Sequence, residues 1–568
     1  MSSFTNKELA GILKEIAVLM EINGESSYKV RAYYNASRQL LELRVDLRMD
    51  KLEEIRGIGK GIAGVIREII ELGYSPLLQE LQAELPEGIL ELLNISGLGP
   101  GKVQRLYKEL GISNLAELKE ALQKDKVKEI SGFGKKSQEN LLKGISEYEQ
   151  YSQVHILYQA QIKSEALIEM LKVNGKLTKL QAVGDIRRRL ELIDKIDLLA
   201  ASDTSREVMD FFAALPVVKK VIEKEEKKTS ILTSDSFQVD LRVVNTDEYP
   251  AALQYFTGSR SHNQKLQERA LRYGYRINEF GVFRGDKPIE LERESDLYQL
   301  LNLDYIIPEL REGRGELEAA TDGTLPESIK TSDLKGDLHI HSQYSDGAHT
   351  IEELVNKARE KSYKYIAITD HSRSLRVANG MSIDTLLQQL EEIDIIQEHY
   401  DDIRILKGIE VDIDANGNLD YPDEIFKKLD LVIASVHSGF SQDKEKMTRR
   451  ILRAMENQYV NIIGHLRGRV FKRREAYQVD IDKIIKKAVE TGTYLEINSS
   501  PYRLDIDDII SREASAAGVK MAINTDSHYL EEFDYISLGV SVARRGWLGK
   551  ADIINTLEFE ELVQLLAK

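Results

Sequence analysis

The sequence predicts a multidomain protein with a helical N-terminal region, two mixed α/β segments and a C-terminal barrel of parallel strands. Its 568 residues exceed what one hydrophobic core supports, so about three to five domains are expected. Residues 1–150 show helical periodicity, and one glycine pattern is repeated there three times. Beyond residue 335, seven short apolar segments alternate with helical segments, which is typical of a βα barrel.

The composition is that of a folded protein without disulfides. Hydrophobic residues make up 42% of the chain and charged residues 30%. No cysteine is present, so any metal would be held by histidine and carboxylate side chains. The N-terminus is amphipathic and no run of 18 apolar residues occurs, from which we expect a cytoplasmic protein without membrane contacts. With a formal net charge of −16, contacts with nucleic acid would have to depend on local features.

Glycine turns separate the predicted helices of residues 1–150. In each copy an isoleucine is followed by a first glycine two residues later and by a second glycine two residues after that. Glycine permits positive φ and leaves backbone N–H groups exposed at the start of the next helix. The pairs are Gly57 and Gly59, Gly97 and Gly99, and Gly132 and Gly134.

The middle of the chain changes from helical to mixed patterning. Residues 151–245 contain the β-rich stretches LQAVGDI, KIDLLAAS, TSILTS and FQVDLRVV, with helical segments between them. Residues 246–318 form a further mixed unit. Residues 319–334 are polar and interrupted by glycine and proline, which predicts a linker.

Histidine and carboxylate side chains follow the seven apolar segments of the C-terminal region. Functional side chains of a parallel barrel gather at the C-terminal ends of its strands, and a His-x-His pair on a strand places both imidazoles on one face. Six of the ten histidines occupy such ends, which separate structural roles would not explain. The candidate metal ligands are His339, His341, Asp346, His371, Glu410, His437, His465, Asp526 and His528.

Nine nitrogen and oxygen donors exceed what two metal ions require. We therefore expect two or three divalent ions, for which imidazole and carboxylate ligands favour Mn²⁺, Zn²⁺ or iron over Mg²⁺ alone. Such ions activate water at neutral pH and clamp a phosphate during in-line attack. The cluster predicts hydrolysis of a phosphoester.

The motifs of this region resemble those of polymerase and histidinol phosphatase (PHP) domains. They are GDLHIHSQYSDG, AITDHS, KGIEVDI, IASVHS, IIGH and NTDSH. The resemblance covers about residues 335–568 and implies a distorted (β/α)7 barrel with a trinuclear site that uses all nine candidate ligands. A basic run from Arg467 to Arg474 is explained equally well by contact with a DNA backbone and by a solvated charged surface.

The order of segments resembles that of bacterial family X DNA polymerases. The Gly-x-Gly turns are similar to helix-hairpin-helix motifs, which bind DNA phosphates through backbone N–H groups without a large positive charge. The resemblance implies an 8-kDa-like DNA-binding domain at 1–75, helix-hairpin-helix fingers at 76–150, a nucleotidyltransferase-like palm at 151–245, a thumb at 246–318, the linker at 319–334 and the PHP phosphoesterase domain at 335–568.

This resemblance also implies ligands and a biological setting. DNA with gaps, nicks or 3′ ends would be the substrate, deoxynucleoside triphosphates a second ligand, and base excision repair the setting; we expect a monomer. Lys29 in SYKVRAY resembles the family's lysine for a 5′ phosphate. The residues implied in nucleotide binding are Gly258, Ser259 and Asn263 in FTGSRSHN and Arg188 in the earlier motif GDIRR.

The palm departs from the family at its catalytic carboxylates. The family pattern Gly-Ser-x-Arg-Arg and then Asp-x-Asp has Asp185 in place of the serine and Lys195 in place of the first aspartate. The catalytic candidates that remain are Asp197 and Asp240. A cation at Lys195 opposes the pair of Mg²⁺ or Mn²⁺ ions that an active palm needs. We expect weak or lost nucleotide addition, unless a strand bulge or Glu191 supplies a third carboxylate.

Four interpretations of function follow. The leading one is a metal-dependent 3′–5′ exonuclease in DNA repair, with incision at abasic sites as in some relatives. The second is an active gap-filling polymerase with the PHP domain as its proofreading nuclease. The third, a phosphatase acting on small molecules, is opposed by the helix-hairpin-helix repeats. The fourth, a catalytically silent DNA scaffold, conflicts with the complete ligand set.

Overall fold

The computed structural model describes residues 4, 6–41, 52–86, 88–95, 97–130, 132–152 and 154–567. The chain divides into two compact units, Met1–Gln153 and Val154–Lys568. Among the described residues, no helix has both the length and the apolar character that crossing a membrane would require.

The N-terminal unit is helical, as predicted. Its amphipathic helices pack around two hydrophobic clusters, the first containing Leu13 and Ile66 and the second containing Leu106 and Phe133. Burial of these apolar faces stabilises helices that would be marginal alone. The described helices are α1 (Asn6–Asn23), α2 (Ser27–Leu41), α3 (Lys60–Leu72), α4 (Pro76–Glu84), α5 (Pro100–Leu110), α6 (Leu115–Gln123) and α7 (Lys135–Ser152).

A five-stranded sheet opens the second unit, and its strands lie side by side in the order β2 (Lys179–Val183), β4 (Ile196–Ala201), β7 (Gln238–Val244), β6 (Lys228–Thr233) and β5 (Val218–Lys224). Strands β4 and β7 are parallel, and the other neighbours are antiparallel. Four of the strands match the predicted β-rich stretches. The fifth, β5, was not predicted, because its residues are mostly exposed and charged. The elements are β1 (His155–Ile156), α8 (Leu157–Lys172), β2 (Lys179–Val183), α9 (Gly184–Arg187), β3 (Leu192–Ile193), β4 (Ile196–Ala201), α10 (Ser205–Ala213), β5 (Val218–Lys224), β6 (Lys228–Thr233) and β7 (Gln238–Val244).

A small mixed segment follows. Its last helix crosses residue 319, where the sequence analysis placed the start of a linker, and the stretch beyond it packs on the barrel: Ile329 is fully buried, and its carbonyl accepts a hydrogen bond of 2.7 Å from Arg544 Nε. The elements are α11 (Tyr249–Thr257), α12 (Arg260–Arg272), β8 (Arg276–Asn278), β9 (Gly281–Arg284), β10 (Lys287–Ile289), α13 (Glu294–Leu300) and α14 (Glu316–Asp322).

The C-terminal segment is the predicted barrel. Seven parallel strands follow one another in sequence order, and their residues, all buried except Arg404 and Lys407, form its core. The first and last strands approach each other, since His341 N donates to Ser527 O at 2.9 Å, so the barrel is nearly closed. The strands are β11 (Gly336–Ile340), β12 (Tyr365–Ile368), β13 (Arg404–Asp412), β14 (Leu431–Ser435), β15 (Ile462–Ile463), β16 (Tyr494–Asn498) and β17 (Met521–Asn524).

Helices cover the outside of the barrel and bury its apolar strands. Several begin at a side-chain cap; for example, Thr350 accepts a hydrogen bond from the amide of Glu353. The barrel helices are α15 (Ile351–Glu360), α16 (Ile383–Gln397), α17 (Asp423–Phe426), α18 (Lys444–Met455), α19 (Ile481–Thr491), α20 (Asp508–Ala516), α21 (Ile536–Arg545) and α22 (Phe559–Leu566).

Buried ion pairs join the five-stranded sheet and the mixed segment to the barrel. Arg545 of α21 donates to Glu312 at 2.9 Å, to Asp508 at 3.0 Å and to the carbonyl of Arg188 at 3.0 Å. Removing one partner of such a buried network would leave an unpaired charge and cost about 3–5 kcal/mol. The contact explains why residues 154–568 form one compact unit.

Candidate metal centre and palm site

All nine candidate metal ligands lie at the C-terminal ends of barrel strands or in the loops that follow them. His339 is in β11 and His341 follows it, while Glu410 is near the end of β13. The other ligands follow β11, β12, β14, β15 and β17. Because parallel strands end at one face of the barrel, residues far apart in sequence meet there.

Glu410 is the centre of the cluster. Its two carboxylate oxygens lie close to five imidazoles, and the side chain is buried. The oxygen Oε1 faces one pair of rings, and Oε2 faces the other three. The distances are 2.9 Å to His465 Nε2, 3.2 Å to His437 Nε2, 2.7 Å to His371 Nδ1, 3.5 Å to His339 Nε2 and 3.7 Å to His341 Nε2.

Two further carboxylates, Asp526 and Asp346, lie beside the imidazoles of the cluster. Asp526 Oδ1 lies 3.1 Å from His341 Nε2 and 3.6 Å from His339 Nε2. Asp346 Oδ1 lies 3.3 Å from His528 Nε2 and 3.5 Å from His371 Nε2. Three groups therefore have ligand atoms within 4.8 Å of one another, namely His341, Asp346, His371 and His528; His339, His341 and Asp526; and His371, Glu410 and His437.

Several of these donor atoms are buried without a hydrogen-bond partner. His371 Nδ1 and Glu410 Oε2 are only 2.7 Å apart, yet their orientation does not satisfy a hydrogen bond. A buried polar atom without a partner costs about 1–3 kcal/mol, so five in one cluster indicate that another group satisfies them. Divalent cations fit this donor set of imidazole and carboxylate. The five atoms are His339 Nε2, His341 Nδ1, His371 Nδ1, Glu410 Oε2 and His465 Nδ1.

Without a metal, the electrostatics hold Glu410 and His341 in metal-binding protonation states, whereas for His437 and His528 burial is outweighed by nearby carboxylates, which raise the pKa of each to about 9. Burial raises the pKa of Glu410, but the surrounding imidazoles, His437 first, hold it well below its ordinary value. Burial and then the charges of His528 and His371 lower the pKa of His341 to about 3. An anionic carboxylate and a neutral imidazole are the forms that bind metal ions.

The sequence analysis missed the carboxylates that orient these histidines. His339 Nδ1 donates to Glu496 Oε1 at 2.7 Å, and His437 Nδ1 lies 3.2 Å from Asp412 Oδ1. Such partners fix the tautomer and the orientation of a metal-binding ring. The sequence did contain a sign of Glu496: β16 is the strand from which no ligand was predicted, and LEIN places a carboxylate in it.

The five-stranded sheet, predicted to be the palm, brings Asp197 and Asp240 together, but both carboxylates are paired with cations. They are direct neighbours in the register of β4 and β7. Lys195 Nζ lies 3.1 Å from Asp197 Oδ1 and 2.7 Å from Asp240 Oδ2, and Arg242 Nη1 lies 3.0 Å from Asp197 Oδ1. Burial raises the pKa of Asp240, but its hydrogen bond from Lys195 lowers it below the ordinary value.

The suggestion that Glu191 supplies a third palm carboxylate is wrong. Its Oε1 accepts a hydrogen bond of 2.6 Å from Arg469 of the barrel, and the other charges that act on it are Asp507 and Asp508. Asp194 and Lys195 lie between strands, because β3 ends at Ile193 and β4 begins at Ile196.

The residues expected to bind a nucleotide lie together but are engaged with one another. The guanidinium of Arg188 donates to Asp185, to the carbonyl of Thr257 and, at 3.1 Å, to Glu312. A Cβ added to Gly258 would meet Arg188 Nη1 at 2.9 Å. Ser259 caps α12, and Asn263 bonds to Gln254 at 2.8 Å and to the carbonyl of Tyr255 at 2.7 Å.

The three glycine turns of the N-terminal unit share one geometry. Gly57, Gly97 and Gly132 have φ values of +89°, +90° and +88°, a region that favours glycine. Gly59, Gly99 and Gly134 directly precede α3, α5 and α7, and a Cβ at these positions would meet no atom within 4 Å. The space before each helix N-terminus is therefore open. Lys29, also expected to bind DNA, is on α2 beside Glu25, with 3.4 Å between Nζ and Oε1.

Comparison with known families accounts for most of the chain. A PHP domain model matches residues 337–500 and a DNA polymerase beta thumb model matches residues 252–312. A helix-hairpin-helix domain model matches residues 4–75, and a SAM-like helix-hairpin-helix tandem model matches residues 89–147.

Individual relatives match either the whole chain or the barrel. The chain is 39% identical over 570 residues to the DNA polymerase/3'-5' exonuclease PolX of Bacillus subtilis (strain 168), covering 99% of both proteins. It is 33% identical over 231 residues to a probable phosphatase of Thermoanaerobacter sp. (strain X514), covering 39% of this chain and 89% of that protein. The identity that extends over the whole chain decides between them: the protein belongs to the family X DNA polymerases that carry a C-terminal PHP domain.

Proposed function

We propose that the barrel is a metal-dependent nuclease that hydrolyses DNA from its 3′ end. The observation that carries this proposal is the convergence of nine histidine and carboxylate ligands, five of whose buried donor atoms have no hydrogen-bond partner. The PolX relative of Bacillus subtilis is named a DNA polymerase/3'-5' exonuclease, and the exonuclease part of that name supports both the substrate and the direction.

The nine ligands would hold two or three divalent ions, Mn²⁺ or Zn²⁺ by the chemistry of their donors. Such ions activate water and neutralise the phosphate as it is attacked. The chain itself supplies the geometry. Glu410 lies between two sets of imidazoles, so it bridges the site, and Glu496 and Asp412 fix the rings of His339 and His437. No side chain is required as a conventional base.

DNA would be held by the N-terminal unit. The open N-termini of α3, α5 and α7, which follow Gly57 and Gly59, Gly97 and Gly99, and Gly132 and Gly134, present backbone N–H groups to phosphates. Lys29 would bind a 5′ phosphate. These features suit gapped or nicked DNA in repair, and they explain how a chain of net charge −16 binds a polyanion.

We propose that the palm binds DNA or nucleotide but adds nucleotides weakly or not at all. The residues at its catalytic position do not fit a pair of metal ions, because the ammonium group of Lys195 lies between Asp197 and Asp240. Asp185 pairs with Arg188, which also donates to the carbonyl of Thr257 and to Glu312, so this arginine is not free to bind a triphosphate. Both substitutions oppose nucleotide addition, Lys195 by repelling metal ions and Asp185 by repelling the triphosphate.

One gel tests both parts. A 5′-labelled gapped duplex is incubated with Mn²⁺, with and without deoxynucleoside triphosphates, using the natural protein and a His339→Ala/His341→Ala variant. We expect shortening by the natural protein, no shortening by the variant and no extension by either. A parallel duplex with an abasic site tests whether the same cluster incises there. Shortening that persists in the variant would refute the assignment of the nuclease to the barrel.

A gap-filling polymerase is the second candidate. It is favoured by the adjacent positions of Asp197 and Asp240 and by the grouping of Arg188, Gly258, Ser259 and Asn263 beside them. With Mg²⁺ or Mn²⁺ in the palm, template-directed extension by the His339→Ala/His341→Ala variant would establish this activity and would show that Lys195 moves aside.

A further inference from the structure

The basic run between Arg467 and Arg474 separates into two sets in the structure. Arg469 is buried against Glu191, and Arg467 Nη1 lies 3.6 Å from Asp507 Oδ2. Arg474 donates to the carbonyl of Gly468 at 2.7 Å, and its guanidinium lies 3.8 Å from the ring centre of Phe440. These three arginines are therefore already paired with groups of the protein.

The other two cations of the run are exposed. Lys472 and Arg473 lie at the tip of a short hairpin closed by the bridge between Val470 and Arg474. Within residues 154–567, no carboxylate lies within ion-pair distance of either side chain. In a chain with an excess of acidic residues, two adjacent cations without a counter-ion mark a local surface for an anion.

An exposed aromatic ring adjoins this hairpin. The backbone amide of Phe471 donates to the carbonyl of Tyr502 at 2.7 Å, which fixes the hairpin against the loop after β16. The ring of Tyr502 is 44% exposed, and the guanidinium of Arg473 lies 5.8 Å from its centre. A cation beside an exposed ring is the combination that binds the phosphates and bases of single-stranded nucleic acid.

Arg503 connects this surface to the metal centre. Its Nε lies 3.4 Å from Oδ2 of Asp526, a candidate metal ligand, and its Nη1 is buried without a hydrogen-bond partner. A donor left unsatisfied beside the cluster is suited to a non-bridging oxygen of a phosphate. Arg473 therefore lies beside Tyr502, Arg503 follows Tyr502 in sequence, and Arg503 contacts the candidate metal ligand Asp526.

At its other end the surface approaches the palm. Burial and then the positive charge of Lys472 lower the pKa of His155, which is in β1, so the hairpin tip lies near that strand. Arg469 from the same loop reaches Glu191, which precedes β3. The surface thus extends between the palm and the mouth of the barrel.

We propose that Lys472, Arg473, Tyr502 and Arg503 form a strand clamp that holds the unpaired end of a nucleic-acid strand as it enters the metal centre. The terminal base stacks on Tyr502, while Lys472 and Arg473 bind the preceding phosphates and Arg503 binds the phosphate that is cleaved. The strand must be unpaired, because stacking on Tyr502 needs a free base face. This proposal rests on the nuclease function proposed above and names how its substrate is held.

The experiment compares two substrates in an Arg473→Ala/Tyr502→Ala variant of the full chain. On a 5′-labelled single strand with Mn²⁺, we expect kcat/KM to fall by about 10- to 100-fold, because one stacked base and one phosphate contact are lost. On methyl p-nitrophenyl phosphate, a diester with no base and no second phosphate, the change should stay below about twofold. Arg473→Lys/Tyr502→Phe should restore most of the activity on DNA.

A matched control is the pair Arg359 and Tyr400. The Arg359 guanidinium lies 5.2 Å from the Tyr400 ring centre, and both residues precede strands, so they are at the opposite end of the barrel. Arg359→Ala/Tyr400→Ala should leave both substrates unaffected. Equal rates on DNA for the clamp variant and the natural protein would overturn the clamp, whereas failure of the natural protein to hydrolyse either substrate would overturn the nuclease itself.

Photo-crosslinking tests the clamp without requiring hydrolysis. A single strand carrying 5-iodouracil at its 3′ end is irradiated with the full chain in a chelator, and the adduct is mapped by mass spectrometry. An adduct on Tyr502, lost in Tyr502→Ala, is the expected result. Adducts confined to residues 1–153 would contradict the proposal.

Discussion

The barrel and the palm each bring together carboxylates from different strands, but the charges of these carboxylates are balanced in different ways. In the barrel, Glu410 and Asp526 face imidazoles, and several buried donor atoms have no hydrogen-bond partner. In the palm, Asp197 and Asp240 accept hydrogen bonds from Lys195, and Asp197 also accepts one from Arg242. The barrel cluster has donor atoms that a bound cation would satisfy, whereas the palm carboxylates are already paired with the ammonium group of Lys195.

The difference shows what decides whether a carboxylate cluster binds metal. A metal ion gains most where donor atoms are buried and unsatisfied, because it relieves a desolvation cost that the fold has already incurred. At the palm, the same ion would first have to displace an ammonium group 2.7 Å from Asp240, and it would then lie beside that charge. Lys195, which contacts both palm carboxylates, contributes most to this contrast, and Arg242 adds a second cation beside Asp197.

The largest effect should follow from Glu410→Gln. Glu410 is close to five imidazoles, so neutralising it weakens every part of the metal centre. We expect the initial rate of 3′ degradation with Mn²⁺ to fall by at least about 1,000-fold, equivalent to about 4 kcal/mol of lost transition-state stabilisation. Glu398→Gln, an exposed change after α16, is the matched control. A variant that kept a tenth of the activity would show that the barrel cluster is not the catalytic site.

The second test removes the internal cation of the palm, so that its carboxylates can bind metal ions as the barrel cluster is proposed to do. Lys195→Asp, in the His339→Ala/His341→Ala background that removes degradation, replaces the internal cation with a third carboxylate. We expect template-directed extension with Mn²⁺ at least about 100-fold above that of the background protein, because an attraction replaces a repulsion next to the metal. Lys195→Ala removes the charge without adding a ligand and should give much less extension. If Lys195→Asp did not extend a primer, features other than Lys195 would have to inactivate the palm.

The sequence predicts the barrel cluster far better than it predicts the contacts of the palm carboxylates. All seven barrel strands and all nine ligand positions follow from local patterns, because a parallel barrel brings strand ends together whatever the details of packing. The contacts of Lys195 depend on where its long side chain lies relative to β7, which is 45 residues away in sequence. The charge reversal was visible in the sequence, but its two hydrogen bonds were not.

The sequence also did not predict the residues that act by contacting another functional side chain. Glu496 was missed because it touches His339 rather than extending the ligand pattern, and such a contact exists only once β11 and β16 are in the same barrel. Glu191 was misjudged for the same reason, since its partner Arg469 belongs to another segment. Tertiary contacts between distant segments, more than local structure, set the limit.

A smaller effect should follow from Glu496→Gln, which changes the support of a ligand and not a ligand. The carboxylate of Glu496 accepts from His339 Nδ1 and from the amide of His465, so it holds one imidazole and one ligand-bearing loop. We expect the Mn²⁺ concentration for half-maximal nuclease activity to rise by about 10- to 100-fold, with the rate at saturating Mn²⁺ changing less. A merely structural role would lower the melting temperature without moving the metal requirement.

The smallest effect concerns the stability of the palm pair in acid. The folded-state pKa of Asp240 lies below its ordinary value because Lys195 donates to it, although burial acts in the opposite direction. A depressed pKa contributes stability that is present above about pH 4 and is lost as the pH falls through the folded value. In a chelator at pH 7, Lys195→Met should therefore lower the stability of β4 and β7 by about 2 kcal/mol, the contribution of a charged hydrogen bond.

The difference in stability between the natural protein and Lys195→Met should shrink as the pH falls below about 4, where the carboxylates lose their charge. Hydrogen–deuterium exchange of peptides covering β4 and β7, corrected for the intrinsic rate at each pH, measures this directly. A difference that stayed constant down to pH 3 would mean that Lys195 stabilises the palm by packing. The charge of Lys195 would then not be what distinguishes the palm carboxylates from those of the barrel.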